Sequence, residues 1–134
     1  MSFPIYGSPF TLGMVRGKLT RERVPVPELV ELHDHDRRRI GPFDCEFLPV
    51  THSTPSGLMT LFGTPQGLIL HSSDFKLDPT PVDGRVTDLP RLRELAAGDG
   101  IRLLLADSTN AGTAGATGSE SEIGPVLRQV FEDN

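Results

Sequence analysis

The apolar positions of this chain change period several times, and each change marks an element. Ser8-Pro9 reads as an N-cap followed by proline at the first helical position, and Leu12, Val15 and Leu19 recur at helical spacing, which predicts a helix over about residues 9–20. Pro25 and Pro27 break that pattern and leave Leu29 to Leu32 as a brief extended segment. Gly41-Pro42 marks a turn. After it, Phe43, Cys45 and Phe47 alternate with Asp44, Glu46 and Leu48, which predicts a half-buried strand running on to Val50 and His52. Leu58 to Phe62 and Leu68 to Leu70 flank Thr64-Pro65-Gln66-Gly67, so residues 58–71 read as a hairpin.

The stretch from Asp78 to Asp88 is rich in Pro, Gly and Asp and predicts a loop. Asp88 suits the cap of a helix over roughly 89–97, with Leu89, Leu92 and Leu95 on one face and Gly98 at its end. Ile101 to Ala106 is apolar apart from Arg102, the pattern of a strand buried on both faces. A flexible Gly, Ala and Thr stretch over 111–118 leads to Ser119-Glu120-Ser121-Glu122, which reads as a capping box. Ile123, Val126, Leu127, Val130 and Phe131 then repeat as the apolar stripe of a last helix over 121–132. Pro125 belongs in its first turn, which favours Ser121 over Ser119 as the cap. Strands alternating with helices make this an α/β chain. The last stripe lacks a partner within the sequence, and both ends of the chain look like cuts.

At 134 residues, 37% hydrophobic and 23% charged, the chain is long enough for one core. No apolar run approaches the roughly 20 residues of a membrane helix, and the N-terminus lacks the basic and apolar regions of a signal peptide. The single cysteine, Cys45, excludes an intramolecular disulfide, fits a reducing cytoplasm and lies in a strand pattern, as a buried structural thiol does. A net charge of −5 argues against gripping nucleic acid through a broad basic surface. It leaves open the local binding of a few phosphates.

Three predicted strand ends carry polar groups: His52, Asp74 and Asp107. If the strands share a sheet, these side chains converge on one edge, where an imidazole and carboxylates suit a divalent metal. The plainer reading gives Asp74 and Asp107 the capping of turns and His52 a surface hydrogen bond. His33-Asp34-His35-Asp36 alternates metal-binding residue types, but it lies beside Arg37-Arg38-Arg39 in a polar stretch and reads as a solvated turn. His71, on its strand, suits a structural or supporting role. Lys76 suits either a phosphate contact or plain solvation.

Taken in order, Pro4-Ile5-Tyr6-Gly7-Ser8-Pro9, Arg16-Gly17-Lys18-Leu19, Gly41-Pro42-Phe43, Val50-Thr51-His52-Ser53, His71-Ser72-Ser73-Asp74-Phe75-Lys76, Thr80-Pro81-Val82-Asp83-Gly84 and Asp107-Ser108-Thr109-Asn110 resemble consecutive blocks of ribonuclease J. That family belongs to the β-CASP branch of the metallo-β-lactamase superfamily. The 22-residue step from His52 to Asp74 also matches. The resemblance implies a partial αββα metallo-β-lactamase sandwich over residues 1–100, running into the start of a β-CASP domain over 101–134. It implies His52 as a ligand of one zinc, Asp74 as the carboxylate bridging two zincs, and Asp107 as an acidic residue that organises the catalytic centre. The implied activity is RNA hydrolysis, both endonucleolytic and from the 5′ end, in the cytoplasm.

The chain departs from the family at Ser72 and Ser73, where a small residue and glycine usually stand, and at Ser56, where an acidic residue is common. The His-x-His-x-Asp-His motif does not occur, and the later zinc-binding histidine would lie beyond Asn134. The expectation is therefore an internal piece of a longer enzyme that is inactive alone. The alternatives are a non-catalytic module that binds a second copy, the missing remainder or another partner through its apolar edges, and a different metallo-β-lactamase-fold hydrolase.

Overall fold

A computed structural model describes residues 3–133. Its elements are β1 (Ile5–Gly7), α1 (Pro9–Arg21), β2 (Leu29–Glu31), β3 (Arg37–Ile40), β4 (Phe43–Pro49), β5 (Leu58–Thr64), β6 (Gly67–His71), α2 (Leu89–Ala97), β7 (Ile101–Leu105) and α3 (Ile123–Glu132). The main sheet has the order β3-β4-β5-β6-β7, antiparallel except for the parallel β6–β7 pair, and β1 and β2 form a separate parallel pair. The chain is thus a mixed α/β structure. Because β4, β6 and β7 run in the same direction, their C-terminal ends share one edge of the sheet.

The two faces of the sheet bury different residues. Leu48, Val50, Met59, Leu61 and Leu70 pack with Leu95 of α2 on one side, while Leu32, Cys45 and Phe47 pack with Tyr6 and Phe62 on the other. β4 is therefore covered on both faces from Cys45 to Pro49, where the alternating pattern predicts cover on one. Its single charged residue in that stretch, Glu46, is 8% exposed and held by two arginines. Arg91 Nε and Nη2 donate to its two carboxylate oxygens at 3.0 and 3.0 Å, and Arg37 Nη2 donates at 3.2 Å. The alternation is real; the ion pair is what lets a polar position face α2.

Residues 37–40 also differ from expectation. They form the edge strand β3, paired with β4 across a tight turn in which Gly41 has φ 57°, the left-handed backbone that glycine adopts without strain. Three arginines give no apolar period, so the strand is invisible to periodicity. It exists because Arg37 and Arg39 face Glu46 and Asp44 across the ladder. Charged edge strands of this kind also resist pairing with other chains.

α1 and α2 match the expected spans. Ser8 Oγ accepts from Thr11 N, Asp88 Oδ1 accepts from Arg91 N at 2.9 Å, and Gly98 closes α2. The predicted strand at 101–106 forms as β7, but Leu103, Leu104 and Leu105 are exposed rather than buried, since β7 is an edge of the sheet with α2 reaching only its start. At the last helix, Ser119 and not Ser121 is the capping residue, and it caps a short 3-10 turn over Glu120–Glu122 that precedes α3. The Asp78 carboxylate fixes that choice by accepting from Ser119 Oγ at 2.9 Å and Glu120 N at 3.3 Å. The stripe Ile123, Val126, Leu127, Val130 and Phe131 is exposed.

Salt bridging to Arg91 holds the Glu46 carboxyl below the usual range against the burial that raises it. A depressed pKa stabilises the fold at pH values above that of unfolded glutamate, about 4.3, and the contribution is lost as acid protonates the native carboxylate. Glu46→Gln should lower stability near neutrality by about 2 kcal/mol and flatten the acid limb of the stability curve. Denaturant unfolding of both proteins between neutral and acidic pH checks this; parallel curves would refute it.

Candidate functional site

The site is built by tying three loops together at the shared sheet edge. β5 lies between β4 and β6, so the strands carrying His52 and Asp74 are not immediate neighbours. Beyond the start of β5 the two chains meet directly, in an antiparallel bridge between Thr51 and Lys76, where Lys76 N donates to Thr51 O at 2.8 Å. The buried Thr87 hydroxyl closes the junction. It accepts from Thr51 N at 3.0 Å and lies 3.3 Å from Thr51 Oγ1 and 3.4 Å from Lys76 O. On the other side, Ser72 N donates to Leu105 O at 3.0 Å, and Asp107 N donates to Ser72 Oγ at 3.1 Å, which fixes Asp107 against the segment that leads to Asp74.

These ties place His52, Asp74 and Asp107 on the wall of one cleft of about 720 Å³, together with Lys76, Thr109 and Glu120. His52 and Asp74 also border a second cavity of about 530 Å³ whose other wall is Gly7, Ser8 and Thr11 at the start of α1. The donor set is an imidazole and carboxylates, as a divalent cation requires. Among the described residues, however, no group of three or more His, Cys, Asp or Glu side chains comes together to hold a metal, and a zinc shell takes three or four protein ligands. The residues present do not fit a complete metal site.

The individual groups are held differently. His52 Nδ1 accepts from Thr54 N at 3.0 Å, so in the neutral ring the proton sits on Nε2. Binding a cation at Nε2 requires the other tautomer and release of the Thr54 contact. Asp74 is exposed and makes no hydrogen bond or ion pair among the described residues. It follows Ser73, whose φ of 57° lies in the left-handed region where glycine is favoured. Ser73 is held there by its hydroxyl, which donates to Leu58 O at 2.9 Å. Asp107 Oδ1 accepts from Thr109 Oγ1 at 2.6 Å and Thr109 N at 3.0 Å; these bonds, with the His52 imidazole as a weaker contribution, hold its carboxyl below the usual range. One Asp107 oxygen thus caps the following turn, as the plainer reading of the sequence has it.

Lys76 is neither solvated nor open to a phosphate. Its ammonium donates to Glu120 Oε1 at 3.2 Å and Gly118 O at 3.3 Å, which pins the 111–118 loop over the cleft. Asp78 supports the same junction. Burial works against its charge, but the Thr80 N–H, the Ser119 hydroxyl, the Glu120 N–H and Lys76 outweigh it and keep the carboxyl below the usual range. The His33–Asp36 segment takes no part in the cleft. Asp34 is bound to Arg85, and His35 Nδ1 stands 3.7 Å from Asp88. His71 is exposed on β6 and borders the 530 Å³ cavity.

Sequence reasoning missed Arg85. Its guanidinium donates to Val50 O at 3.1 Å and Gly57 O at 2.7 Å while gripping the Asp34 carboxylate, so it clamps both ends of the loop that carries His52. A lone cation among turn residues gives no periodic signal, and its partners are distant in sequence.

No family model matches the chain. Its sequence is 42% identical over 130 residues to a ribonuclease J of Corynebacterium glutamicum, covering 97% of this chain. It is 46% identical over 129 residues to a ribonuclease J of Mycobacterium tuberculosis and 43% over 131 to one of Thermus thermophilus, each covering 96% of this chain. The chain is homologous to a stretch of ribonuclease J. It spans 18% of the first relative and 23% of the other two. A crystal structure of a protein of unknown function from Enterococcus faecalis superposes with a TM-score of 0.71 at 18% identity, over 98% of this chain and 34% of that one, which is a likeness of fold.

Arg85→Ala should free the His52 loop of this ribonuclease J homologue. We expect a loss of about 2–3 kcal/mol and faster amide exchange at Val50 and Thr54 than elsewhere in the sheet. Uniform exchange changes across the sheet would show that Arg85 has no local role.

Proposed function

We propose that this chain is part of a zinc-dependent ribonuclease, and that it contributes His52 and Asp74 as metal ligands and Asp107 as a residue that orients the catalytic centre. The observation that carries this reading is the convergence of the three side chains in one cleft, in a chain that is homologous to ribonuclease J along almost its whole length. In the proposal, His52 would hold a zinc through a neutral ring nitrogen and Asp74 would supply a carboxylate ligand. Asp107 keeps one oxygen on Thr109 and offers the other to a neighbouring side chain. When bound, the zincs would supply the activated water for attack on phosphorus. Residues 1–100 belong, in this reading, to a metallo-β-lactamase domain and 101–134 to the start of a β-CASP domain. RNA is the substrate and the cytoplasm the compartment, cleavage being internal and from the 5′ end.

Two matched ligands do not close a zinc shell, so the chain by itself is proposed to be inactive. Calorimetric titration of the purified chain should show no stoichiometric zinc binding tighter than micromolar. Tight binding accompanied by RNA cleavage would overturn the inactivity.

The family reading has a separate test. The 134 residues replace the matching stretch of the full-length Thermus thermophilus ribonuclease J, and the chimaera is assayed on RNA. It should cleave, and His52→Ala or Asp74→Ala should each lower the rate at least about 1,000-fold, with Asp107→Asn less severe. A cleaving chimaera indifferent to both ligand substitutions would remove the site assignment.

A second reading is favoured by one observation, the exposure of Leu103 to Leu105 on β7 and of the α3 stripe. In it the chain is a non-catalytic module that associates through these surfaces, with a second copy or with the remainder of an enzyme. Size-exclusion chromatography separates the two, since a well-behaved monomer counts against association. No helix among the described residues is long and apolar enough to cross a membrane.

A further inference from the structure

We propose that the outer face of α1 is a contact strip for single-stranded RNA, running away from the 530 Å³ cavity that His52 and Asp74 border; this rests on the ribonuclease reading above. Phe10, Met14, Lys18 and Arg21 stand at i, i+4, i+8 and i+11, which places them on one face of the helix. Leu12, buried, with Val15 and Leu19, half-buried, occupies the opposite face against the body of the protein. Phe10 is 42% and Met14 65% exposed. Beside them, Gly13 and Gly17 have nothing within 4 Å of the position a Cβ would take, so the helix surface there is open to a second chain.

The charge distribution points the same way. Arg16, Lys18, Arg21 and Arg23 are exposed and make no side-chain hydrogen bond or ion pair among the described residues. Of the other nine basic side chains, Arg37, Arg38, Arg39, Lys76, Arg85 and Arg91 are in ion pairs, and the three that are not, Arg93, Arg102 and Arg128, are dispersed along the sequence. Four of the 13 basic side chains are therefore gathered within eight residues, with Glu22 as the single acidic residue among them, in a chain whose net charge is −5. Two of them, Lys18 and Arg21, lie in the last turn, where a cation interacts favourably with the negative end of the helix dipole. Arg16 lies before that turn and Arg23 beyond the helix, so the dipole does not account for the group.

The strip has a direction. Gly7, Ser8 and Thr11, at the start of α1, share the 530 Å³ cavity with His52 and Asp74. From Phe10 to Arg21 the helix rises roughly 17 Å, enough for a few nucleotides. The aromatic end offers a base a stacking surface, and the basic end meets phosphates.

The test is equilibrium binding of a short fluorescein-labelled oligouridylate to the whole chain, followed by anisotropy in EDTA so that neither metal nor hydrolysis enters. Wild type should bind with a salt-dependent affinity. Lys18→Gln/Arg21→Gln/Arg23→Gln together should weaken binding at least about tenfold and reduce the slope of log K against log salt by roughly 2. Phe10→Ala should weaken it several-fold with the slope unchanged. Arg93→Gln/Arg102→Gln/Arg128→Gln should leave both quantities as they are. Unchanged thermal melting of the first triple variant separates lost contacts from lost folding, because a purely structural role would move the melting and not the slope. The proposal is overturned if wild type fails to bind at low salt, or if the two triple variants lose affinity equally. Failure of the metal reading shows itself elsewhere, in the cleavage assay of the chimaera, and leaves this binding unaltered.

Discussion

The bridge between Thr51 and Lys76 is the constraint on which the site depends. In a regular sheet, two strands separated by a third stand about 9–10 Å apart, and side chains at their ends diverge further as the loops leave. Here β5 begins only at Leu58, so the chains leaving β4 and β6 meet around its end and pair directly. The junction is buried, and its polar groups must find partners or the fold loses stability. Thr87 supplies them from a loop distant in sequence, and no buried side-chain nitrogen or oxygen among the described residues lacks a hydrogen-bond partner. Arg85, two residues earlier, clamps the outer loop to the same body. The position of His52 relative to Asp74 thus follows from satisfied backbone, not from packing of the two side chains themselves.

What was legible in the sequence is what periodicity and capping encode. Ser8-Pro9, Asp88 and Gly98 bounded α1 and α2, and the alternation around Phe43 to Phe47 and the Thr64–Gly67 turn placed β4, β5 and β6. β1 escaped notice because three residues are too few for a pattern. β3 escaped because its strand character comes from carboxylates on the neighbouring strand. The burial of Glu46 was hidden for the same reason: a charge reads as solvent-facing until its arginine partners, nine and 45 residues away, are known. At the site, the three strand ends were readable, since each polar residue follows an apolar run. The groups that hold them, Thr87, Arg85, Ser72 and Asp78, act across long sequence separations and carry no local signature.

β7 and α3 show the opposite failure. Their apolar patterns are strong, yet these are among the most exposed apolar residues of the protein. A pattern reports what a segment would bury and says nothing of what lies against it. β7 pairs with β6 along one edge only, and α3 is attached chiefly through the Ser119–Asp78 and Glu120–Lys76 contacts at its start. The relatives are from about four to more than five times the length of this chain, and the exposed surfaces are apolar in the manner of a core cut open rather than of a solvated face.

Electrostatics then sets how a polyanion would approach. Asp74 and Asp107 give the cleft negative charge, and Thr109 stabilises the ionised form of Asp107. Lys76, the cation nearest them, is neutralised by Glu120. A phosphate entering the cleft is therefore repelled, so the proposed reaction there would need divalent cations, whose attraction is local to one phosphate. Affinity for the rest of a single strand must come from elsewhere. A cluster of four unpaired cations, Arg16, Lys18, Arg21 and Arg23, lies along and just beyond α1, whose first turn borders the neighbouring cavity that His52 and Asp74 share. In the proposed binding mode, energy collected there, at nucleotides that do not react, would offset the cost of holding one phosphate among carboxylates. Under the two proposals, an acidic reaction site and an adjoining basic helix form a single arrangement, in which each part makes the other useful.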